Sequence, residues 1–269
     1  MIENKCSNHE FTEGKRSWME YLSFSRLSLY ETCGLRFFYE YVQQLEPVDS
    51  VPTYHASFGK LLHSLYEAHA NSGGELDFAD LKSEFDEQFP QLVPEFPERS
   101  VAVGFYKSGI QAIFRFSRYR VEDVLASEKE FLLPMGNGVP PIKGFIDRVI
   151  YTDSHGYIVA DLKTGKPFSG RHPVKFKQLV IYSLACEHIY GVPAQSGYFD
   201  FVVNGSREWV NLKDEDRKSA HDWVFSLWRK IQGESFEPHY SPGFCPAYCP
   251  YRSICPAFAK VNANAAIYN

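Results

Sequence analysis

Two runs rich in β-branched and aromatic residues, Ile142 to Tyr151 and Tyr157 to Lys163, flank a turn at Asp-Ser-His-Gly, residues 153–156. Val, Ile and Tyr suit a half-buried pleated surface, and Gly156 can take the positive φ of a tight turn, so the stretch predicts a β-hairpin. Asp147 and Asp161 lie symmetrically about that turn. An even register sends both side chains off one sheet face, and the period-two rule adds Lys163. Carboxylates facing each other across strands repel unless a cation separates them. A divalent metal resolves the conflict, and a carboxylate-rich site suits hard, oxygen-seeking ions such as magnesium or manganese. A Gly-x-Ile-Asp or an Asp-x-Lys by itself is common on solvated strand faces, so chemistry here requires company elsewhere in the chain.

At 269 residues the chain can form one large domain or two small ones with a substantial core. Its 44% hydrophobic and 23% charged residues are those of an ordinary globular protein, and 16% aromatics leave some for stacking outside the core. The formal net charge of −5 argues against broad electrostatic adhesion to DNA or anionic membrane, though not against a local basic track. No apolar run approaches a membrane span, and the start, Met-Ile-Glu-Asn-Lys-Cys, has no signal-peptide core. A cytoplasmic protein without membrane contact is expected, with cysteines that are ligands or reduced thiols rather than disulfides.

In chain order, residues 1–20 read as a flexible arm, and a helix begins at Ser23 or Ser25, with Gly34 dividing it in two. A helix over Phe58–Ala70 carries Gly59 and His63 on one face. Two helices, about Phe78–Phe89 and Glu98–Val121, are separated by Pro90, Pro94 and Pro97, and form a helical insertion over about 74–122. A strand over Val124–Leu133 precedes the hairpin. A helix over about Val174–Tyr190 follows it, with Gln178 and Tyr182 one turn apart. A second hairpin, Ser196–Val203 with Glu208–Leu212, turns at Asn204-Gly205, and a last helix covers about Asp214–Gln232. The expectation is a single α/β domain over 21–260, a small mixed β-sheet flanked by helices.

Three of the six cysteines crowd the end of the chain, Cys245, Cys249 and Cys255, each followed by proline. Three close thiolates lack one ligand of a four-coordinate site, and Cys33 is the expected fourth. Cys186, on a helix with an apolar face, fits simple burial, and Cys6 sits in the arm. Spacing alone does not separate a zinc site from an iron–sulfur cluster.

With these pieces placed, the chain from Ser23 to Cys255 resembles the RecB/AddB-type branch of the PD-(D/E)XK nuclease superfamily, which includes the CRISPR-associated RecB-like exonucleases. Ser-Arg-Leu-Ser-Leu-Tyr-Glu-Thr-Cys-Gly-Leu-Arg-Phe-Phe is similar to that branch's opening helix. Gly59-x-x-x-His63 resembles its histidine motif and Gly144-x-x-Asp147-Arg148 its first carboxylate. Asp161-Leu162-Lys163 resembles the (D/E)-x-K signature, and Gln178-x-x-x-Tyr182 its Gln-x-x-x-Tyr helix. One cysteine followed by three is similar to its [4Fe–4S] arrangement, which would join segments of about 23–45 and 236–260. Between Cys245 and Cys249 stand three residues where the resemblance implies two.

The resemblance implies a metal-dependent deoxyribonuclease, an exonuclease more than an endonuclease, acting on single-stranded DNA or DNA ends. Asp147, Asp161, His63 and the Leu162 carbonyl would hold magnesium or manganese, with Lys163 orienting water and stabilising charge. Gln178 and Tyr182 would position the scissile strand. Lys163, Lys166, Arg171, Lys175 and Lys177 form a run free of acidic residues and suited to phosphates, although such runs are often only solvated surface. Helicase motifs are absent, so a free-standing nuclease or a partner of a helicase or other DNA-processing subunit is expected. Two rivals differ in class. A non-catalytic nucleic-acid-binding or assembly subunit built on a metal cluster predicts decay at the catalytic positions, and these are intact. A zinc-bound enzyme of unrelated chemistry would differ in its absorption spectrum.

Overall fold

The computed structural model describes residues 19–119, 121, 123–167 and 173–267. The arm therefore falls mostly outside the described residues; its last part does not hang loose, since Met19 and Leu22 are buried and Leu22 bridges to Ile142. Helices α1 (Phe24–Thr32) and α2 (Gly34–Phe37) break at Cys33, where an extended backbone ends one and starts the next. The Ser23 hydroxyl accepts the N–H of Arg26, an N-terminal cap. A π-helical turn over Phe38–Val42 follows. Next come α3 (Tyr54–Asn71), α4 (Phe78–Leu92) and α5 (Arg99–Phe116).

Strands β1 (Val124–Leu133), β2 (Ile142–Thr152) and β3 (Gly156–Lys163) form an antiparallel meander. Helix α6 (Pro173–Tyr190) crosses over to β4 (Ser196–Phe201), which lies parallel to β3, and β5 (Ser206–Asn211) closes the edge. The sheet order is β1-β2-β3-β4-β5. Parallel neighbours require a crossover, and α6 meets that need with a run buried all round: Leu179, Val180, Ile181 and Tyr182 are all within the core. Helix α7 (Asp214–Gln232) buries Ala220, Trp223, Val224, Leu227, Trp228 and Ile231, the spacing of one helical stripe. Short α8 (Cys245–Tyr248) and α9 (Pro256–Ile267) end the described chain.

Two cores result. One gathers α1, α6 and α7 with Ile142, Val149, Val159 and Phe199 of the sheet. The other joins α3, α4 and α5 with Leu162 and Val202. The mixed sheet flanked by helices is as the sequence predicts, and α4 and α5 pack closely on each other: an added Cβ on Gly109 would run into the Phe85 ring.

Several boundaries differ. Helix α3 starts at Tyr54 rather than Phe58, with Tyr54 packed on Phe96 at 4.9 Å between centroids. Pro90 does not end α4, because in a last turn its missing N–H costs a single helical bond. Helix α5 stops at Phe116, and Tyr119 turns away to bond Asp200 at 3.2 Å. Strand β4 stops at Phe201 because Val202 to Gly205 make the turn, pinned by Arg115 on the carbonyls of Val202 and Val203. The proline-rich end is also more regular than its composition suggests, and it is docked by side chains. Phe236 packs on Phe38 and Phe37, Tyr30 donates to the Ser235 carbonyl at 2.5 Å, and Tyr251 donates to the Leu45 carbonyl at 2.7 Å.

Candidate active site

The β2–β3 hairpin has the register symmetrical about its turn, Thr152 with Gly156 through Arg148 with Ala160. The next rung would pair Asp147 with Asp161, and there the recorded backbone pairing stops. Strand β2 continues beside β1, β3 continues beside β4, and the Asp147 carboxylate takes the Leu162 N–H at 2.7 Å. The carboxylates thus sit where the ladder splits.

His63 of α3 reaches into this split from the other side. Its Nδ1 lies 3.6 Å from Asp147 Oδ2 and 3.8 Å from Glu128 Oε1. Arg148, the neighbour of Asp147, anchors that helix. Its fully buried guanidinium stacks 3.6 Å from the Tyr66 ring centroid and donates to the Tyr66 carbonyl at 3.1 Å. Tyr66 is three residues beyond His63, so the Asp-Arg pair fixes α3 at two points one turn apart. Gly59, a turn before His63, faces Thr164, whose Oγ1 would stand 3.4 Å from a Cβ there, within ordinary contact.

Sequence reasoning missed Glu128. The pairs Ser127–Arg148 and Lys129–Ile146 put it opposite Asp147, and its φ of 45° lies in the left-handed region that disfavours a side chain. Glu-Lys-Glu at 128–130 reads as a solvated strand face. The usable signal is cross-strand: Glu128 is the acidic residue facing Asp147 once β1 is paired with β2.

Asp161 is almost fully buried and belongs to a closed ring of polar contacts. Lys163 pairs with its Oδ2 and donates to Gln178 Oε1 at 3.1 Å, Gln178 Nε2 lies 3.1 Å from the Tyr182 hydroxyl, and that hydroxyl donates to Asp161 Oδ1 at 3.4 Å. Gln178 and Tyr182 therefore converge on the carboxylate and the lysine. Tyr182 is 5% exposed, so the structure holds it behind the site rather than at a surface a strand could pass.

The electrostatics reflect crowding. Burial and then the Asp161 charge push Asp147 up to about 7, against the opposing pull of His63 and the Leu162 N–H. Burial pulls His63 down, but the nearby Glu128 carboxylate and the charges of Asp147 and Asp161 outweigh that and leave it raised. Burial, then the Asp161 and Asp147 charges, hold Tyr182 well above the usual phenol range. Burial and the Lys163 ammonium lower Lys175, which places that cation beside the site. Lys177 instead lies over the Trp223 ring at 5.1 Å, on the α7 side, and Lys166 is exposed. Arg171 lies outside the described residues.

These residues suit a hard cation. Among the described residues, only His63, Glu128 and Asp147 bring three such ligand atoms within 4.8 Å of one another. Asp161 Oδ2 is buried and receives no hydrogen bond, although the Lys163 ammonium lies against it. A bound cation would offset the burial and the Asp161 charge that hold the Asp147 carboxyl up.

The cysteines converge elsewhere. Cys33 accepts the His239 N–H at 3.4 Å, Cys245 accepts the Ser241 N–H at 3.2 Å, and Cys249 feels the charges of Cys245 and Cys255. Tyr39 lies within the influence of both Cys255 and Cys33. Cys186 is buried, with its thiol pushed up to about 12 by burial. Cys6 lies outside the described residues.

Among curated proteins, none matches this sequence. Among solved structures, a protein described as a "putative exonuclease" from Eubacterium rectale is similar over 93% of this chain and 92% of its own, at 13% identity and a TM-score of 0.50, a likeness of fold. The protein SSO0001 aligns with 74% of this chain and 95% of its own, at 18% identity and a TM-score of 0.38. No helix among the described residues is long and apolar enough to cross a membrane. The family model of the PD-(D/E)XK nuclease superfamily matches residues 21–256, nearly the whole described fold, and the chain belongs to that superfamily.

Proposed function

We propose that the chain is a divalent-metal-dependent deoxyribonuclease, an exonuclease acting on single-stranded DNA or DNA ends in repair, recombination, phage or CRISPR-related DNA processing. One observation carries the reading: Asp147 and Asp161 meet at a split in the sheet, with His63 and Glu128 closing one side and Lys163 the other. The description of the Eubacterium rectale neighbour as an exonuclease is in keeping with it.

Asp147, Asp161, His63 and the Leu162 carbonyl would hold magnesium or manganese, and Glu128 adds a carboxylate to that set. When bound, such an ion polarises a phosphate oxygen and lowers the pKa of water for in-line attack. Lys163, held by Asp161 and Gln178, presents a cation at the edge of the carboxylates, where it orients the nucleophile and stabilises charge on the phosphate. Tyr182 and Gln178 fix Asp161 and Lys163 in place. Lys175 adds positive charge beside them, where phosphates of the strand would lie, with Lys166 beyond.

The four cysteines Cys33, Cys245, Cys249 and Cys255 fit a [4Fe–4S] cluster in this reading. The same four thiolates would also satisfy a closed zinc site. Absorption spectra and iron content of anaerobically purified protein distinguish the two metals. The nuclease reading is tested with end-labelled single- and double-stranded DNA in magnesium or manganese. Metal-dependent shortening from an end supports it, and absence of cleavage on every substrate with fully metallated protein refutes it.

A further inference from the structure

A cavity of about 730 Å³ opens directly onto His63 and Glu128, bounded by the outer face of α3 and the start of β2. Among its walls are Lys60, Gly59, Thr164 and Phe145. Phe145 shares the face of Asp147 by the two-residue alternation of β2, opposite to Ile146, and it is 46% exposed there. Its ring stands across the cavity from α3, and the exposed Lys60 lies one turn before His63 on that helix. An aromatic ring left about half in water beside a polar centre forgoes part of its apolar burial. The same ring offers a flat apolar face to an unpaired base.

We infer that Phe145 is the base-stacking platform of the substrate strand, receiving the base next to the scissile phosphate, with Lys60 contacting a neighbouring phosphate in the same cavity. The inference rests on the nuclease reading above and narrows its substrate to a strand whose bases are unpaired at the site. A base stacked inside a duplex presents only its edges, so its face is not available to the Phe145 ring. Stacking tolerates any base, so the contact gives strand-type selectivity without sequence selectivity. His55 also lines the cavity, and its ring lies 6.3 Å from the Tyr248 ring of the cysteine segment, so this side of the cavity adjoins that segment.

The test uses full-length protein carrying Asp161→Ala, which removes cleavage from the measurement, and fluorescein-labelled single-stranded oligonucleotides read by anisotropy. Adding Phe145→Ala should weaken binding by roughly 5- to 150-fold, the range of one base–aromatic stack, and Phe145→Trp should restore it. A single abasic site, walked along the oligonucleotide, should weaken binding of the Phe145 protein at one position and leave the Phe145→Ala protein unaffected there. Cleavage by protein with Asp161 intact should show the same loss in KM with little change in kcat. Equal binding with and without the ring, or the same abasic profile for both proteins, overturns the inference while leaving the nuclease reading standing. No binding to any single strand by either protein, together with no cleavage, overturns both.

Discussion

The carboxylate of Asp147 accepts the backbone N–H of Leu162 at 2.7 Å, across the point where β2 and β3 part. A side chain thus takes over a role that the sheet ladder has given up. It also ties the first acidic residue to the residue between Asp161 and Lys163. Any ion seated between the two aspartates would meet a frame already braced by the main chain, and this relationship shapes the expected behaviour of variants.

Asp161→Ala should lower DNA cleavage by about three orders of magnitude or more, since it removes a ligand and the partner that holds Lys163. The fold should survive, because the change also relieves repulsion on Asp147. Turnover within tenfold of the parent in either magnesium or manganese would remove the active site from this hairpin.

Asp147 predicts a pH dependence with a definite sign. Its folded pKa, raised to about 7, lies above the unfolded carboxylate value of about 3.9, so its contribution to metal-free stability is fully present below the unfolded value and is lost as pH rises through about 7. Asp147→Asn should therefore raise the Tm of metal-free protein at pH 8 and leave it nearly unchanged at pH 4. Metal binding should release protons from Asp147 and His63 at pH 6 and few at pH 8.5, visible by calorimetry in buffers of different ionisation enthalpy. A Tm difference that does not change with pH contradicts the assignment.

Tyr182→Phe removes a hydroxyl that touches both Asp161 and Gln178 in a buried ring. Hydrogen bonds to charged groups contribute about 1.5–3 kcal/mol, so kcat should fall roughly 10- to 100-fold. KM should hold, because the buried phenol does not reach a strand. A rise in KM at constant kcat would place Tyr182 in direct contact with substrate instead.

Glu128 separates ligand duty from stability. A side-chain residue in the left-handed region costs about 1–2 kcal/mol, more than the roughly 0.5–1 kcal/mol that glycine costs in a strand, and a charge facing Asp147 goes as well. Glu128→Gly should leave the metal-free Tm unchanged or higher while weakening manganese binding. Manganese titration by electron paramagnetic resonance, beside thermal melts, reads both; lower stability with unchanged affinity would contradict the role.

Cys33→Ser should lose the iron and the brown colour, and Cys186→Ser and Cys6→Ser should keep them. A cross-link over so long a loop is worth on the order of 5 kcal/mol in the chain-entropy model, so the Tm should drop. The C-terminal segment should nonetheless stay largely docked, since Phe236 meets Phe38, Phe37 and Tyr30, and such aromatic pairs add about 0.5–1.5 kcal/mol each. Only Cys33→Ser combined with Phe236→Ala should become protease-sensitive beyond residue 236. Full iron content in Cys33→Ser would refute the ligand set.

The hairpin, its register and the meeting of Asp147 with Asp161 were legible in the sequence because strand periodicity and turn chemistry are local and fix a face two residues at a time. That Gln178 and Tyr182 share one helix face was legible too, through one-turn spacing, whereas their place and that of His63 beside the carboxylates was implied by the family resemblance alone. Glu128 was not, because what makes it a site residue is a left-handed backbone opposite Asp147, and β1 finds that register only by pairing with β2. The basic run likewise scattered: Lys175 lies beside Lys163 while Lys177, two residues on, turns toward Trp223, since α6 is packed on both sides and its rotation is set by the core. Docking of the proline-rich end onto α1 and α2 was hidden for the same reason. Sequence order determines which side chains an element presents, but only tertiary packing decides which of them meet, because contacts between residues far apart in the chain depend on how whole elements settle against one another.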